Sequence, residues 1–320
     1  MTSEDGRRCM CTDFVRATEA AALAAGRWMG HGDSDAADAD AQAAMAAALD
    51  VLPVEGVVVI GEGDREQAPR LFVGDRVGAG GTRCDIAVDA LEGAGIVARG
   101  QAGAMSVVAA GPPDGLMSMP NMYLQKLVVG AKAAGRVDID GRVIDTLRAI
   151  AEAYERPVAE LTVIILDRPR HEDLIAEVRR AGARIKLIPD GDVTAGIAVA
   201  VQDATDQLYV GIGGAAEGVL TAVAMRCLGG EIQAKLWPLS RREVELARQH
   251  GIDDIETTLR TEDMVTGDVL FAATGVTEGE FLKGVEYLGF GVRLHSMVMC
   301  SRCRDVRMIQ TTHLHTDVTR

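Results

Sequence analysis

Between Leu161 and Leu228 short apolar runs alternate with segments of helical spacing, and this rhythm restricts the fold more than any other feature of the chain. It predicts strands over 161–167, 183–188 and 207–211, and helices over 171–181, 192–200 and 217–228. Strand–helix–strand units of this kind imply a parallel sheet that collects ligands at the carboxyl ends of its strands. Three segments fall at such ends: Arg168-Pro169-Arg170-His171, Asp190-Gly191-Asp192, and the glycine turn from Gly211 to Gly218. Two arginines beside a rigid proline suit bidentate phosphate binding. The glycine turn fits a phosphate cradle and a packing turn about equally well.

The first half of the chain carries a different signal. Val57-Val-Val-Ile60 and Cys84-Asp-Ile-Ala-Val-Asp89 begin as apolar strands and end in glycines and acids, which delivers Glu62, Asp64, Asp89 and Glu92 to strand ends. Carboxylates gathered in tight turns suit a hard divalent cation, and the glycines let backbone N–H groups approach a phosphate. This is the outline of a metal-dependent phosphoryl-transfer site. Asp85 lies on the Asp89 face of its strand, near the start, where a capping acid fits. Helical spacing of Phe14, Ala17, Ala21, Ala25 and Trp28 predicts a helix over 13–29, and a second opens near Ala37-Asp38 and runs to Pro53. Strands are expected over 56–61, 71–73, 84–89 and 104–110, a turn over 111–115, and a helix over 141–154. A boundary before Pro157 would divide the chain into domains 1–156 and 157–320.

A net charge of −14 argues against nucleic acid or an anionic membrane as partner. No apolar run is long enough to span a bilayer and no leader is apparent. The six cysteines show no framework, which suggests reduced thiols in the cytoplasm. Cys300-x-x-Cys303 lacks a second pair or a nearby His pair, so it reads as incidental; His313 and His315 read as surface or packing residues. There is no nucleophile elbow and no dinucleotide fingerprint, which leaves seryl hydrolysis and nicotinamide chemistry unsupported.

The motifs in order resemble the class II (GlpX-type) fructose-1,6-bisphosphatases of the lithium-sensitive phosphatase superfamily. The matching segments are Thr18-Glu19, Gly30-x-Gly-Asp33, Ile60-Gly-Glu-Gly-Asp64, Asp85-Ile-Ala-Val-Asp89 with Glu92-Gly93, Leu166-Asp-Arg-Pro-Arg-His171, Pro189-Asp-Gly-Asp192, Gly211-Ile-Gly-Gly-x-x-Glu-Gly218 and Ala273-Thr-Gly-Val276. The resemblance implies an α/β fold of mixed α+β character, a layered α-β-α-β-α sugar-phosphatase sandwich with an N-terminal metal-binding phosphatase domain and a C-terminal substrate-binding domain. It also implies two sites for Mg²⁺ or Mn²⁺, with Asp38 and Glu62 holding one ion and Asp89, Glu92 and Glu217 the other. Glu66 matches a family acid suited to deprotonating the water, and Glu92 joins it as a catalytic residue. Substrate contacts are implied for Glu92, Gly93, Ala94, Tyr123, Arg168, Pro169, Arg170, Asp190, Gly191, Asp192 and Gly214. The resemblance further implies a small-molecule sugar phosphate as partner and a homodimer or homotetramer as assembly. The chain departs from the family pattern at Ala94, where threonine is usual, and at Ser34, where lysine is usual. The activity expected is hydrolysis of fructose 1,6-bisphosphate or a seven- or eight-carbon sugar bisphosphate. The competing reading is a catalytically weakened sugar-phosphate-binding paralogue.

Overall fold

The computed structural model describes residues 9–63, 65, 68–201 and 204–314. Two alanine-faced helices come first, α1 (Val15–Gly26) and α2 (Ser34–Leu49). Ala17, Ala21 and Ala25 on α1, and Ala37, Ala41, Met45 and Leu49 on α2, recur every fourth residue and are fully buried. Small side chains at that spacing give each helix a narrow apolar face that lets backbones approach closely. α2 begins earlier than the sequence pattern indicates because the Asp33 carboxylate caps it, accepting from the Ala36 N–H at 3.0 Å.

β1 (Val54–Ile60), β2 (Arg76–Val77), β3 (Thr82–Glu92), the short helix α3 (Ala94–Ala98) and β4 (Met105–Gly111) follow. The expected strand at 71–73 does not form. Leu71 adopts φ 59°, and its N–H donates to the Asp75 carboxylate at 2.9 Å, so the segment closes as a turn. The chain then builds a second sheet from β5 (Tyr123–Val129), α4 (Val143–Tyr154), β6 (Thr162–Leu166), α5 (Glu172–Ala181), β7 (Arg184–Ile188), α6 (Asp192–Ala198) and β8 (Leu208–Gly214). It continues through α7 (Ala215–Leu228), β9 (Glu231–Trp237), α8 (Arg241–Gln249), β10 (Leu259–Arg260) and α9 (Thr261–Met264). It returns to the first sheet with β11 (Leu270–Gly275), β12 (Glu286–Leu288), β13 (Gly291–Cys300) and β14 (Asp305–Leu314).

The chain therefore falls into two compact units, 1–116 with 267–320, and 117–266. The boundary expected near 156 lies inside the second unit. There, Val143, Leu147 and Ile150 of α4 pack with Val163 and Ile165 of β6 in one core, so a cut after α4 would expose that face. The first unit's sheet has the order β12-β13-β11-β4-β3-β1-β2, with β14 on β13. β1 and β3 run parallel, and β3, β4, β11 and β13 pair antiparallel. A buried polar chain links α1 to this sheet: Thr18 Oγ1 lies 2.7 Å from Thr274 Oγ1, which lies 2.8 Å from Ser296 Oγ. This accounts for polar motif residues in an otherwise apolar core.

The second sheet has the order β10-β9-β5-β8-β6-β7. β6, β7 and β8 are parallel, as the alternation predicts, but β5 enters antiparallel between β8 and β9 and makes the sheet mixed. Two mixed sheets with flanking helices give an α/β fold consistent with an α/β phosphatase sandwich. Among the described residues no helix is long and apolar enough to cross a membrane.

Candidate functional site

In the first unit the acids converge through strand geometry. β1 and β3 are parallel, so the Gly61-Glu62 turn and the Asp89–Glu92 end of β3 emerge on one edge. Glu62 reaches across: its Oε1 accepts from the Ala90 N–H at 2.6 Å. Gln42 of α2 places its amide 2.7 Å from Asp38 Oδ2 and 3.3 Å from Glu62 Oε2, which gathers two carboxylates around one side chain. Asp38 lies in the second turn of α2 and not at its start, because the helix opens at Ser34. Burial raises its pKa above the usual carboxylate range, against the Gln42 hydrogen bond, which lowers it.

β3 and β4 slip register between Asp89 and Glu92. Such a bulge re-aims side chains at a strand end. A carboxylate oxygen of Asp89 lies within 4.8 Å of one of Glu92, although Glu92 is only 4% exposed. Gly93 then takes φ 87°, a left-handed value that glycine adopts without strain, and Ala94 opens α3. Asp38, Glu62, Asp89 and Glu92 offer oxygen alone, the donor chemistry of a hard divalent cation, so this group fits Mg²⁺ or Mn²⁺ and does not favour a softer metal. Asp85 has a separate, structural role, since its buried carboxylate accepts from the Gly115 and Leu116 N–H groups and fixes the turn after β4. Glu66, Asp64 and His315 lie outside the described residues.

In the second unit the three loop segments do share one edge, because β6, β7 and β8 are parallel. Tyr123 joins them from the opposite direction: as the first residue of antiparallel β5 it pairs with Gly214 at the end of β8. The Arg170 guanidinium lies 5.0 Å from the Tyr123 ring centre and donates to the Ile212 carbonyl through Nε (3.2 Å) and Nη2 (2.7 Å). The ring and the carbonyl together hold the guanidinium fork in place. Arg168 donates to the Asp167 carbonyl, and Pro169 begins the single turn that follows. His171 accepts from the Ile212 N–H at Nε2 (2.7 Å), which leaves Nδ1–H to donate to the Leu166 carbonyl (2.8 Å). Burial, reinforced by Arg170 and Arg168, depresses its pKa, so the ring is neutral.

The glycine turn accommodates the chain's own acids. A Cβ on Gly213 would fall 1.9 Å from Asp192 Oδ2, and one on Gly214 would fall 2.0 Å from Glu217 Oε2. Two carboxylates thus lie against bare backbone. Asp192 is 6% exposed, and its Oδ2 takes the Lys126 ammonium at 2.6 Å and the Tyr209 hydroxyl at 3.2 Å. Burial pushes the Glu217 carboxyl up and Asp192 adds to the rise, while Lys126 opposes it. Asp190 accepts from the Gly191 N–H at 3.1 Å, and Gly191 opens α6 at φ 87°.

A model of the family described as bacterial fructose-1,6-bisphosphatase, glpX-encoded, matches residues 8–313. The chain belongs to this family. It is 40% identical over 330 positions to the D-fructose 1,6-bisphosphatase class 2/sedoheptulose 1,7-bisphosphatase of Synechococcus sp. (strain JA-2-3B'a(2-13)), with 94% of each chain covered. It is also 40% identical over 323 positions to fructose-1,6-bisphosphatase 1 class 2 of Escherichia coli (strain K12), with 96% of each chain covered. Three residues that sequence reasoning did not select hold the candidate acids: Gln42 between Asp38 and Glu62, and Lys126 and Tyr209 on Asp192. Lys126 does leave a signal, a lone cation in the apolar alternation of Leu124, Lys126 and Val128. Gln42 leaves one as well, since Asp38 stands four residues before it on the same helix face, but its contact with Glu62 and that of Tyr209 with Asp192 join residues far apart in sequence.

Proposed function

We propose that this protein is a metal-dependent phosphatase that removes one phosphate from a sugar bisphosphate, either fructose 1,6-bisphosphate or a seven-carbon analogue such as sedoheptulose 1,7-bisphosphate. The observation that carries this reading is the gathering of Glu62, Asp89 and Glu92 at the ends of two parallel strands, with Asp38 of α2 joined to Glu62 through Gln42, in a chain of the glpX family. The Synechococcus relative's name supports the seven-carbon alternative. Asp38 and Glu62 would hold one Mg²⁺ or Mn²⁺, and Asp89, Glu92 and Glu217 a second. When bound, such cations neutralise phosphoryl charge and make water a better nucleophile.

The chain's own residues supply the rest. Glu66, with Glu92, takes the proton from the attacking water, and the Gly93–Ala94 turn borders the reacting phosphate. Arg168 and Arg170, stiffened by Pro169, neutralise the second phosphate. Tyr123, Asp190, Gly191 and Gly214 border the sugar, and Lys126 and Tyr209 fix Asp192 among them. Positioning and electrostatics carry the reaction without a covalent intermediate. A cytoplasmic homodimer or homotetramer completes the proposal, and sedimentation of the purified protein measures the assembly.

The test is phosphate release with Mn²⁺ or Mg²⁺ from a panel of sugar mono- and bisphosphates. Turnover confined to bisphosphates, and abolished by chelation, is expected. Ala94 favours one alternative, since it provides no hydroxyl to orient water. Calorimetric binding of a bisphosphate with no phosphate release under any metal would establish a binding paralogue instead.

A further inference from the structure

Four cysteines that look scattered in the sequence meet in the first unit. Cys9 and Cys11 precede α1, Cys300 ends β13, and Cys303 lies in the turn to β14. Their four Sγ atoms all lie within 4.8 Å of one another. Cys9 and Cys300, 291 positions apart, place their sulfurs 3.7 Å from each other. The cysteines are therefore not scattered in space. The second pair that Cys300-x-x-Cys303 lacked locally is Cys9-x-Cys11, supplied by the fold.

The spacing carries chemical information. Zinc–thiolate bonds of about 2.3 Å in a tetrahedron put neighbouring sulfurs about 3.8 Å apart. The observed separations suit one mononuclear ion held by four cysteines, whereas a multinuclear iron–sulfur cluster holds its cysteine sulfurs farther apart. The hairpin is shaped to present thiolates. The Cys303 N–H donates to Cys300 Sγ at 3.4 Å, and the Arg304 N–H closes the turn on the Cys300 carbonyl at 2.9 Å. Arg304 takes the left-handed φ of 55° that this tight return needs. Arg307 of the same hairpin is held by the Asp305 carboxylate at 3.0 and 2.6 Å, so the hairpin carries a cation and an acid together. Cys11 and Cys300 are 2% and 4% exposed and belong to the main core, so the group is anchored on rigid elements. Cys303 is exposed and Cys9 half-buried, so a disulfide is the competing state of the cluster, and the test below reads it directly.

We propose that Cys9, Cys11, Cys300 and Cys303 bind one structural zinc ion that fastens the segment before α1 to the β13–β14 hairpin. With four protein ligands the site has no open position and takes no part in hydrolysis. It is separate from the carboxylate group in ligand chemistry, so the two can be tested apart. The full-length protein is purified under reducing conditions from zinc-supplemented cells, dialysed against buffer containing Mg²⁺, and analysed by elemental mass spectrometry. One zinc per chain is expected, retained in Asp89→Asn and lost in Cys303→Ser and Cys9→Ser. Cobalt substitution of the wild type should give thiolate-to-cobalt charge-transfer bands, which carboxylate ligands do not give. Cys303→Ser should melt at lower temperature than the wild type, with Mn²⁺-dependent phosphate release unchanged well below its melting point. Wild-type protein that holds no zinc and shows no thiolate–cobalt bands would overturn the proposal. So would iron in place of zinc, or a disulfide between any two of these cysteines in the freshly reduced protein. The wild-type readouts do not depend on the substituted chains folding.

Discussion

Replacing Lys126 by methionine removes one partner of the best-buried ion pair among the described residues. The Lys126 side chain is fully buried, its ammonium lies 2.6 Å from Asp192 Oδ2, and the Asp192 side chain is 8% exposed. Methionine has nearly the same volume and should leave no cavity. The loss is then the charge: Asp192 stays buried and keeps the neutral Tyr209 hydroxyl, at 3.2 Å, in place of an ammonium. Breaking a buried pair from one side costs about 3–5 kcal/mol, because the remaining charge is left uncompensated. At about 2–4 °C per kcal/mol for a unit of this size, melting should fall by about 6–20 °C. The double variant Lys126→Met/Asp192→Asn removes both charges and keeps an acceptor for Tyr209, and it should regain more than half of that loss. Guanidinium unfolding of the wild type, both single variants and the double variant measures the coupling directly. A Lys126→Met protein within about 1 kcal/mol of wild type, or a double variant whose losses simply add, would refute the reasoning.

Glu62→Gln keeps an acceptor for the Ala90 N–H but removes the charge, so it should weaken Mn²⁺ binding in calorimetry and abolish phosphate release while the melting curve stays near wild type. Ala94→Thr restores a hydroxyl at the start of α3; if one positioned hydrogen bond limits the rate, turnover of fructose 1,6-bisphosphate should rise by up to about 10²–10³-fold. Arg170→Ala should raise KM by about ten- to a hundredfold, the value of a charge-assisted phosphate pair, and leave Mn²⁺ affinity unchanged. His171 gives a pH signature. Its folded pKa is depressed and the unfolded ring titrates near its ordinary value of about 6.5, so the unfolded state binds the extra proton, and stability is full above that value and declines as pH falls below it. His171→Asn should flatten this dependence in denaturant midpoints taken between about pH 7.5 and 5.

The sequence by itself determined whatever local chemistry encodes. Alanines every fourth residue specify α1 and α2, since that spacing is one face of a helix. The apolar runs at 57–60 and 84–89 that stop in glycine and carboxylate mark strand ends as well as the acids that occupy them. The alternation after Leu161 foretold the shared edge at which Arg168–His171, Asp190–Asp192 and Gly213–Glu217 emerge, because parallel strands joined by helices leave little freedom. What the sequence withheld were the long-range choices. Nothing within Tyr123–Val129 states that it runs antiparallel between β8 and β9, and nothing in β11 to β14 states that they return to the first sheet, because strand propensity does not specify a partner. Leu71 satisfies a strand pattern yet turns, since the Asp75 carboxylate offers its N–H a better partner than a sheet edge. Lys126 becomes intelligible only beside Asp192, and the four cysteines only when the segment before α1 lies against the last hairpin. Burial and charge pairing are properties of space, and chain order is silent about them until the backbone has closed.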